Sequence, residues 1–555
     1  MARAVAAAVG QDVVRNGASF LKYTAKSTFT NRYVNRITDI QALVGAVHTD
    51  FYKNARERMF SRAPELMHFM AAMRPGELGL VSHHFARMGY REKDFWNEVS
   101  RSVMEYGMVD PVAWDVACVV NAFASIDYYD EKCILFLANQ LRIVVPTIDH
   151  ITISVLLHGL GRLNEPRKVG QHRGRVSQRI PQEALDSFLD TCAEWILANR
   201  SNLKVCAMGQ SMQGFAKLKH YREDLFLALA EEVRVMAKDF NLAQLSMVIN
   251  SMARSLTHDW EAEEAICVRL EKLLSEMDES QLPEASNYIA GILTAFLKLE
   301  ADCHPTLEAT ILRYLPRFMP QLSMTDIVLT VPTLARLVQV VPHREFLEAI
   351  FNGKCRENIG SYEKEGLGGI MLTAQRLGFT YDVQWWEDAV AQATAMIRRG
   401  QWKGLTVAGV IYAVARLGVV AENSNVTSEV LGEFKNLRKR FFEDVSSALP
   451  GQTADWHPRA VTTLLTACVK TDYCDPEIAR ALFDRAKATL HQYNAKDISQ
   501  LISAMGVFEV SHPELIRAVE QRFETRALVM DPGLRAIFQT AYSRLGRQWP
   551  FLHRA

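Results

Sequence analysis

Neither sign of charge is in excess in this sequence: 63 Lys and Arg residues stand against 63 Asp and Glu. That balance excludes the broad basic field by which many nucleic-acid binders attract their ligand, so any such role must rest on where charges sit. Long apolar runs are also missing. A membrane-spanning helix needs about 20 consecutive apolar residues, and the most apolar stretch, 327–341, is broken by Pro332, Arg336 and Gln339. Cysteine is sparse and unpatterned, nine residues with no C-x-x-C pair. Cys118, Cys133, Cys192, Cys206 and Cys267 sit in apolar helical context, where thiols behave as small hydrophobes. Reduced cysteines in a non-secretory compartment are expected, without disulfides or zinc.

Catalytic signatures are lacking too. There is no phosphate-binding loop, Rossmann glycine fingerprint, H-E-x-x-H or nucleophile elbow. Gly366-Leu367-Gly368-Gly369 follows no strand and precedes no Lys, so it reads as the start of a helix. His83-His84 has no Cys or carboxylate at ligand spacing, and Trp385-Trp386 and Phe95-Trp96 read as core residues. The expectation is a protein that is not an enzyme, with no cofactor and no metal site.

What is present is a repeat. Five residues (apolar, small, basic, apolar, then Gly or polar) recur from Phe85, Phe123, Leu160, Phe215, Met252, Phe296, Leu334, Ala374, Val414, Cys468, Met505 and Tyr542. Most steps between these starts are about 37–40 residues. Each unit shows apolar i, i+3, i+4 spacing in two helices separated by a polar turn. The fold class expected is therefore all-α: an α-solenoid of about twelve helical hairpins, in which stacking supplies the core that one hairpin cannot. Gly89, Gly378, Gly418 and Gly546 follow the signature directly, as left-handed helix caps do. Ser511-His512-Pro513-Glu514 reads as a capping box opening a second helix. A small second place lets the neighbouring helix approach closely, and Leu297, Gln375 and Val469 depart from it, which predicts looser or shifted packing there.

The third place is Arg87, Arg162, Lys217, Arg254, Lys298, Arg336, Arg376, Arg416, Lys470 and Arg544, interrupted only by Ser125 and Val507. A cation in the last helical turn meets the negative end of the macrodipole, which alone suffices to explain it. Stacking also places these cations in a row along one edge, where they would track a phosphate backbone. Two steps are long. The first holds a basic loop insertion at 165–182, with Arg167, Lys168, Arg173, Arg175 and Arg179; the second holds polar insertions at 421–428 and 448–458, with Lys435, Arg438, Lys439 and Arg440 between them. The expected organisation is a basic leader at 1–39 and a solenoid over 40–555. Before Asp39 the leader carries Arg3, Arg15, Lys22, Lys26, Arg32 and Arg36 against Asp12 alone, a composition that fits a mitochondrial presequence.

This period and signature resemble the heptatricopeptide and octotricopeptide repeat proteins, helical-hairpin solenoids of organelles. The layout is also similar to the helical-repeat subunits of kinetoplastid mitochondrial RNA-editing and ribosome-assembly complexes. The resemblance implies a non-catalytic matrix protein that binds single-stranded RNA, through the third-place cations and the basic loop, and other proteins of a ribonucleoprotein in RNA processing or ribosome assembly. The alternatives are an armadillo- or HEAT-like scaffold for protein partners, and a structural subunit of a mitoribosome or respiratory complex.

Overall fold

The apolar spacing produces helices along the whole described chain. The structure is a computed structural model, and it describes residues 31–105, 111–144, 148–165, 180–299, 304–362, 366–417, 427–446, 448–471, 476–508, 510–525 and 532–548. No strand occurs among the described residues, and none of their helices is long and apolar enough to cross a membrane. The fold is an all-α solenoid of helical hairpins. Its residues group into two units, 1–233 and 234–555.

In the first unit, α1 (Asn31–Tyr52) precedes the repeats, which run α2 (Pro75–Arg87), α3 (Lys93–Glu105), α4 (Ala113–Ile126), α5 (Glu131–Val144), α6 (His150–Asn164), α7 (Asp186–Asn199), α8 (Val205–Leu218) and α9 (Glu223–Met236). Helix α1 begins at Asn31, so Arg32 and Arg36 belong to it, while residues 1–30 of the basic leader lie outside the described residues. The second unit continues with α10 (Leu242–Ser255), α11 (Trp260–Ser275), α12 (Leu282–Lys298), α13 (Pro305–Phe318), α14 (Met324–Leu337), α15 (Arg344–Phe351), α16 (Gly366–Leu377) and α17 (Val383–Arg398). It proceeds through α18 (Gly404–Ala415), α19 (Ser428–Ser446), α20 (Pro458–Thr471), α21 (Pro476–Ala488), α22 (Ala495–Phe508), α23 (Pro513–Thr525) and α24 (Pro532–Arg544). The even-numbered helices carry the signature. Within each unit they pack side by side in sequence, α2 to α8 and α10 to α24, as one layer. Odd-numbered helices form the second, as α3 with α5 and α11 with α13 show.

The signature explains the layering. First-place Phe85, Phe215, Phe296 and Val414 are wholly buried between the layers. The second place faces the next even helix. A Cβ on Gly161 would lie 3.1 Å from Lys217 Cβ, and one on Gly506 would lie 3.1 Å from Arg544 Cβ. A second-place residue thus meets the third-place residue of the following repeat, and its size sets how near the two backbones come. Gly214 shows the limit: a Cβ there would stand 2.6 Å from the Leu157 backbone. Gln375 does not loosen its seam; it is buried, with no hydrogen-bond partner for Oε1.

The fifth place turns the chain. Gly89, Gly378 and Gly546 adopt positive φ, and so do Asp127, Lys219 and Leu256 in the same position. The residue after each donates its N–H to the first-place carbonyl, as Tyr90 does to Phe85 and Phe379 to Ala374. This is the Schellman closure, and it occurs with or without glycine. Gly418 lies outside the described residues. The start of α23 differs by one residue from the expected box. Pro513 occupies the first helical turn, and His512 Nδ1, not Ser511, accepts the Leu515 N–H at 3.1 Å. Part of the polar insertion at 448–458 is a docked 3-10 turn, Pro450–Asp455, followed by Trp456, whose indole lies over Gly404. Phe95, Trp96, Trp385 and Trp386 are core residues, and the indole N–H groups of the three tryptophans donate to the carbonyls of Tyr90, Phe351 and Phe379.

Candidate nucleic-acid interface

The third-place cations of the second unit share one face because of helix periodicity. Residues four or seven apart lie on the same face of a helix. A Cβ on Gly291 would meet Asn250 Nδ2 at 3.4 Å, one on Gly369 would meet Pro332 Cγ at 3.0 Å, and one on Gly409 would meet Leu372 Cδ2 at 3.9 Å. Asn250, Pro332 and Leu372 stand four residues before Arg254, Arg336 and Arg376. Gly291, Gly369 and Gly409 stand seven before Lys298, Arg376 and Arg416. Arg254, Lys298, Arg336, Arg376 and Arg416 therefore occupy equivalent positions at the carboxyl ends of five helices packed in succession. Packed helices lie about 8–10 Å apart, which sets the rung spacing.

Four of these five are exposed, and Arg416 is half-buried. Its Nη1 donates to the Tyr412 hydroxyl at 2.6 Å, and its guanidinium lies over the Tyr412 ring. Among the described residues, Lys298, Arg336 and Arg376 make no ion pair with a carboxylate. Their helix ends are closed without them: Leu299 N–H donates to Ala295, Val338 N–H to Leu334 and Phe379 N–H to Ala374, and at the end of α18 Arg438 of α19 reaches the Ala415 carbonyl at 3.4 Å. The cation cluster of α19 is thus used locally. Lys439 lies 3.9 Å from Glu443, and Arg440 lies 2.9 Å from Glu387. Arg544 is exposed on α24, and the Lys470 side chain lies outside the described residues.

In the first unit, Arg87 is exposed, and Arg162 and Lys217 are half-buried and close together. His158 lies between them; burial first, then the Lys217 and Arg162 charges, push its pKa down to about 4. Ser125 leaves α4 without a third-place cation. Asn164 links this rung to the basic insertion: its amide donates to the Lys217 carbonyl at 3.3 Å, and its Oδ1 accepts the Ile180 N–H at 3.1 Å. The insertion thus leaves at Glu165 and returns at Ile180 beside Arg162 and Lys217. Arg167, Lys168, Arg173, Arg175 and Arg179 themselves lie outside the described residues.

One polar cluster escapes a reading by motif. His304, wholly buried ahead of α13, contacts Glu263 through Nε2 at 2.9 Å and Glu264 through Nδ1 at 3.3 Å. Cys267 is buried one turn after Glu264 on α11, and Trp260 stacks on the imidazole, ring centroids 3.8 Å apart. The signal was an E-x-x-C step on one face, with a His-Pro helix start one repeat later.

No family model matches this chain, and no curated protein matches it in sequence. Solved structures do match. A homology model of the full-length AP-3 complex, in an intermediate open conformation, is 9% identical, covers 97% of each chain and has a TM-score of 0.31. A circular tandem repeat protein with novel repeat topology is 13% identical, covers 88% of this chain and 98% of its own, with a TM-score of 0.18. At such TM-scores neither carries an argument about this chain, and the repeat architecture rests on its own geometry.

Proposed function

We propose that this chain is a non-catalytic helical-repeat scaffold of a mitochondrial ribonucleoprotein, holding single-stranded RNA along the carboxyl edge of its even-numbered helices. One observation carries the reading: among the described residues, Lys298, Arg336 and Arg376 form adjacent rungs without carboxylate partners, while several arginines of the odd layer and its turns, Arg222, Arg234, Arg398 and Arg440 among them, are paired with acids. A row of cations at near-regular spacing suits a phosphate backbone, and backbone contact asks for no net charge on the whole protein. The basic insertion anchored beside Arg162 and Lys217 supplies further phosphate contacts. The presequence-like leader supports a mitochondrial location, and RNA processing, such as editing, or ribosome assembly is the setting the repeat resemblance implies.

The decisive test is a charge reversal, Lys298→Glu, Arg336→Glu and Arg376→Glu together, with a short single-stranded RNA titrated across a range of salt. Three lost phosphate contacts lower the slope of log affinity against log salt by about 2. An unchanged slope in a folded variant sinks the reading. A protein-scaffold reading draws on the middle of the same face, where Leu372 is half-buried and Leu405 is 50% exposed. That reading predicts partner capture indifferent to salt, with no RNA crosslinked to the chain in its organelle.

A further inference from the structure

Two glutamates at consecutive positions of α11 approach one buried imidazole, and among the described residues neither has a Lys or Arg partner. Glu263 is 2% exposed. Its Oε2 holds His304 Nε2 at 2.9 Å, and its Oε1 lies 3.3 Å from the Asp259 N–H and 3.8 Å from His258 Nδ1. Glu264 turns Oε2 to His304 Nδ1 at 3.3 Å, while its Oε1 accepts the Thr306 hydroxyl at 2.5 Å. A carboxylate removed from water, as Glu263 is, needs a compensating cation.

We propose that Glu264, Cys267 and His304 bind a zinc-class divalent ion, with solvent in a fourth, open position. Their three donor atoms lie within 4.8 Å of one another. Tetrahedral zinc bonds to nitrogen and oxygen at about 2.0–2.1 Å, which puts two such ligands about 3.3 Å apart. His304 Nδ1 and Glu264 Oε2 stand at that separation already, with the Cys267 thiol within 4.8 Å. The step from Glu264 to Cys267 is one helical turn, which puts both on one face of α11. Glu263 plays the positioning part. Accepting the proton of Nε2, it fixes the tautomer that leaves the Nδ1 lone pair free for metal, the carboxylate–histidine–metal relay of many sites. A mixed nitrogen, oxygen and sulfur set favours zinc over magnesium or calcium. On binding, the Cys267 thiol gives up its proton to solvent, as does Nδ1 where it carries one, so affinity rises with pH.

The full chain, stripped with a chelator and titrated with Co²⁺, gives the test. One equivalent should bind, with the intense visible bands of tetrahedral cobalt and the near-ultraviolet thiolate-to-cobalt band. Zn²⁺ should bleach both. Cys267→Ala should abolish the thiolate band, and Glu264→Gln, at a half-buried position that leaves the core intact, should weaken binding at least 10-fold. Glu263→Gln should weaken it about 10–100-fold while keeping the thiolate band, as loss of an orienting partner does. No stoichiometric binding by the wild-type chain, or cobalt spectra without a thiolate band, overturns the site whatever the variants do. None of these outcomes bears on RNA.

Discussion

The two layers spend their positive charge differently. In the odd layer and the turns leading into it, arginines and histidines meet acids: Arg222 with Glu194 and Asp224, Arg234 with Asp259 and Glu261, Arg398 with Asp444, His220 with Asp190 and His512 with Asp484. In the even layer, Lys298, Arg336 and Arg376 have no such partners among the described residues. Histidines on even helices sit near other bases: His84 beside His48 and His83, His158 beside Arg162 and Lys217. Exposed ion pairs are worth about 0–1 kcal/mol each, so the pairing of the odd layer contributes little stability. It offsets part of the positive charge of that surface. The even layer keeps exposed cations at one edge, and a chain of zero net charge acquires a polarised surface in the repeats that carry them.

The contrast extends to packing, where the largest effect is expected. Gly214→Ala pushes a Cβ into the Leu157 backbone and should cost about 3 kcal/mol in urea unfolding, the range for strain in a filled core. A loss under 1 kcal/mol would show that the even-layer seam is slack. Next comes the reversal of Lys298, Arg336 and Arg376, which should lower RNA affinity by about two orders of magnitude near physiological salt. Its partner experiment reverses Arg222, Arg398 and Arg440, and there anisotropy titration should move affinity by no more than about threefold. Equal losses from the two triples would erase the distinction between layers.

The third effect concerns pH. His84 is buried, with its Nε2 3.0 Å from His48 Nδ1 and its ring stacked on Phe51. Burial first, then His83 and His48, hold its pKa down to about 3 from an ordinary 6.5. The unfolded chain takes up this proton as pH falls below about 6.5, and the folded chain does so only near 3. Stability is therefore full above that range and falls as pH drops through it, by about 2 kcal/mol at pH 5 for this group. Thermal unfolding of wild type and His84→Gln from pH 7.5 to 5 should differ in slope by that amount; parallel curves would show His84 to be charged in the fold. The smallest effect has the opposite sign. Gly432, within odd helix α19, has nothing within 4 Å of a Cβ, so Gly432→Ala should raise stability by about 0.5–1 kcal/mol in the same urea assay.

The repeat was legible because each part of the signature answers a local demand: a buried first place, a small second, a left-handed fifth. Where the demand is met by other means, sequence reading stops short. Asp127, Lys219 and Leu256 turn the chain as glycine does, since one strained residue costs less than an open helix end. The cations of α19 form a cluster in sequence, yet Arg438 and Arg440 have partners that only folding brings near, and Lys439 lies beside Glu443 one turn on. His304 was visible as part of a helix start; its two glutamates lie a full repeat away, and no local pattern joins them. The row itself was legible from spacing, but its lack of acid partners was not, because pairing is a property of neighbours on other helices.

Closure of a helix by its own backbone, as at Gly89, Asp127 and Gly378, has an evolutionary consequence. Where the fifth-place turn satisfies the last carbonyls, the third-place side chain is released from holding the helix together. Ser125 on α4 and Val507 on α22 occupy that place in helices that still form and pack. Mutation is free to write or erase charge rung by rung while the scaffold stays the same, so such arrays diverge in what they hold long before they diverge in shape.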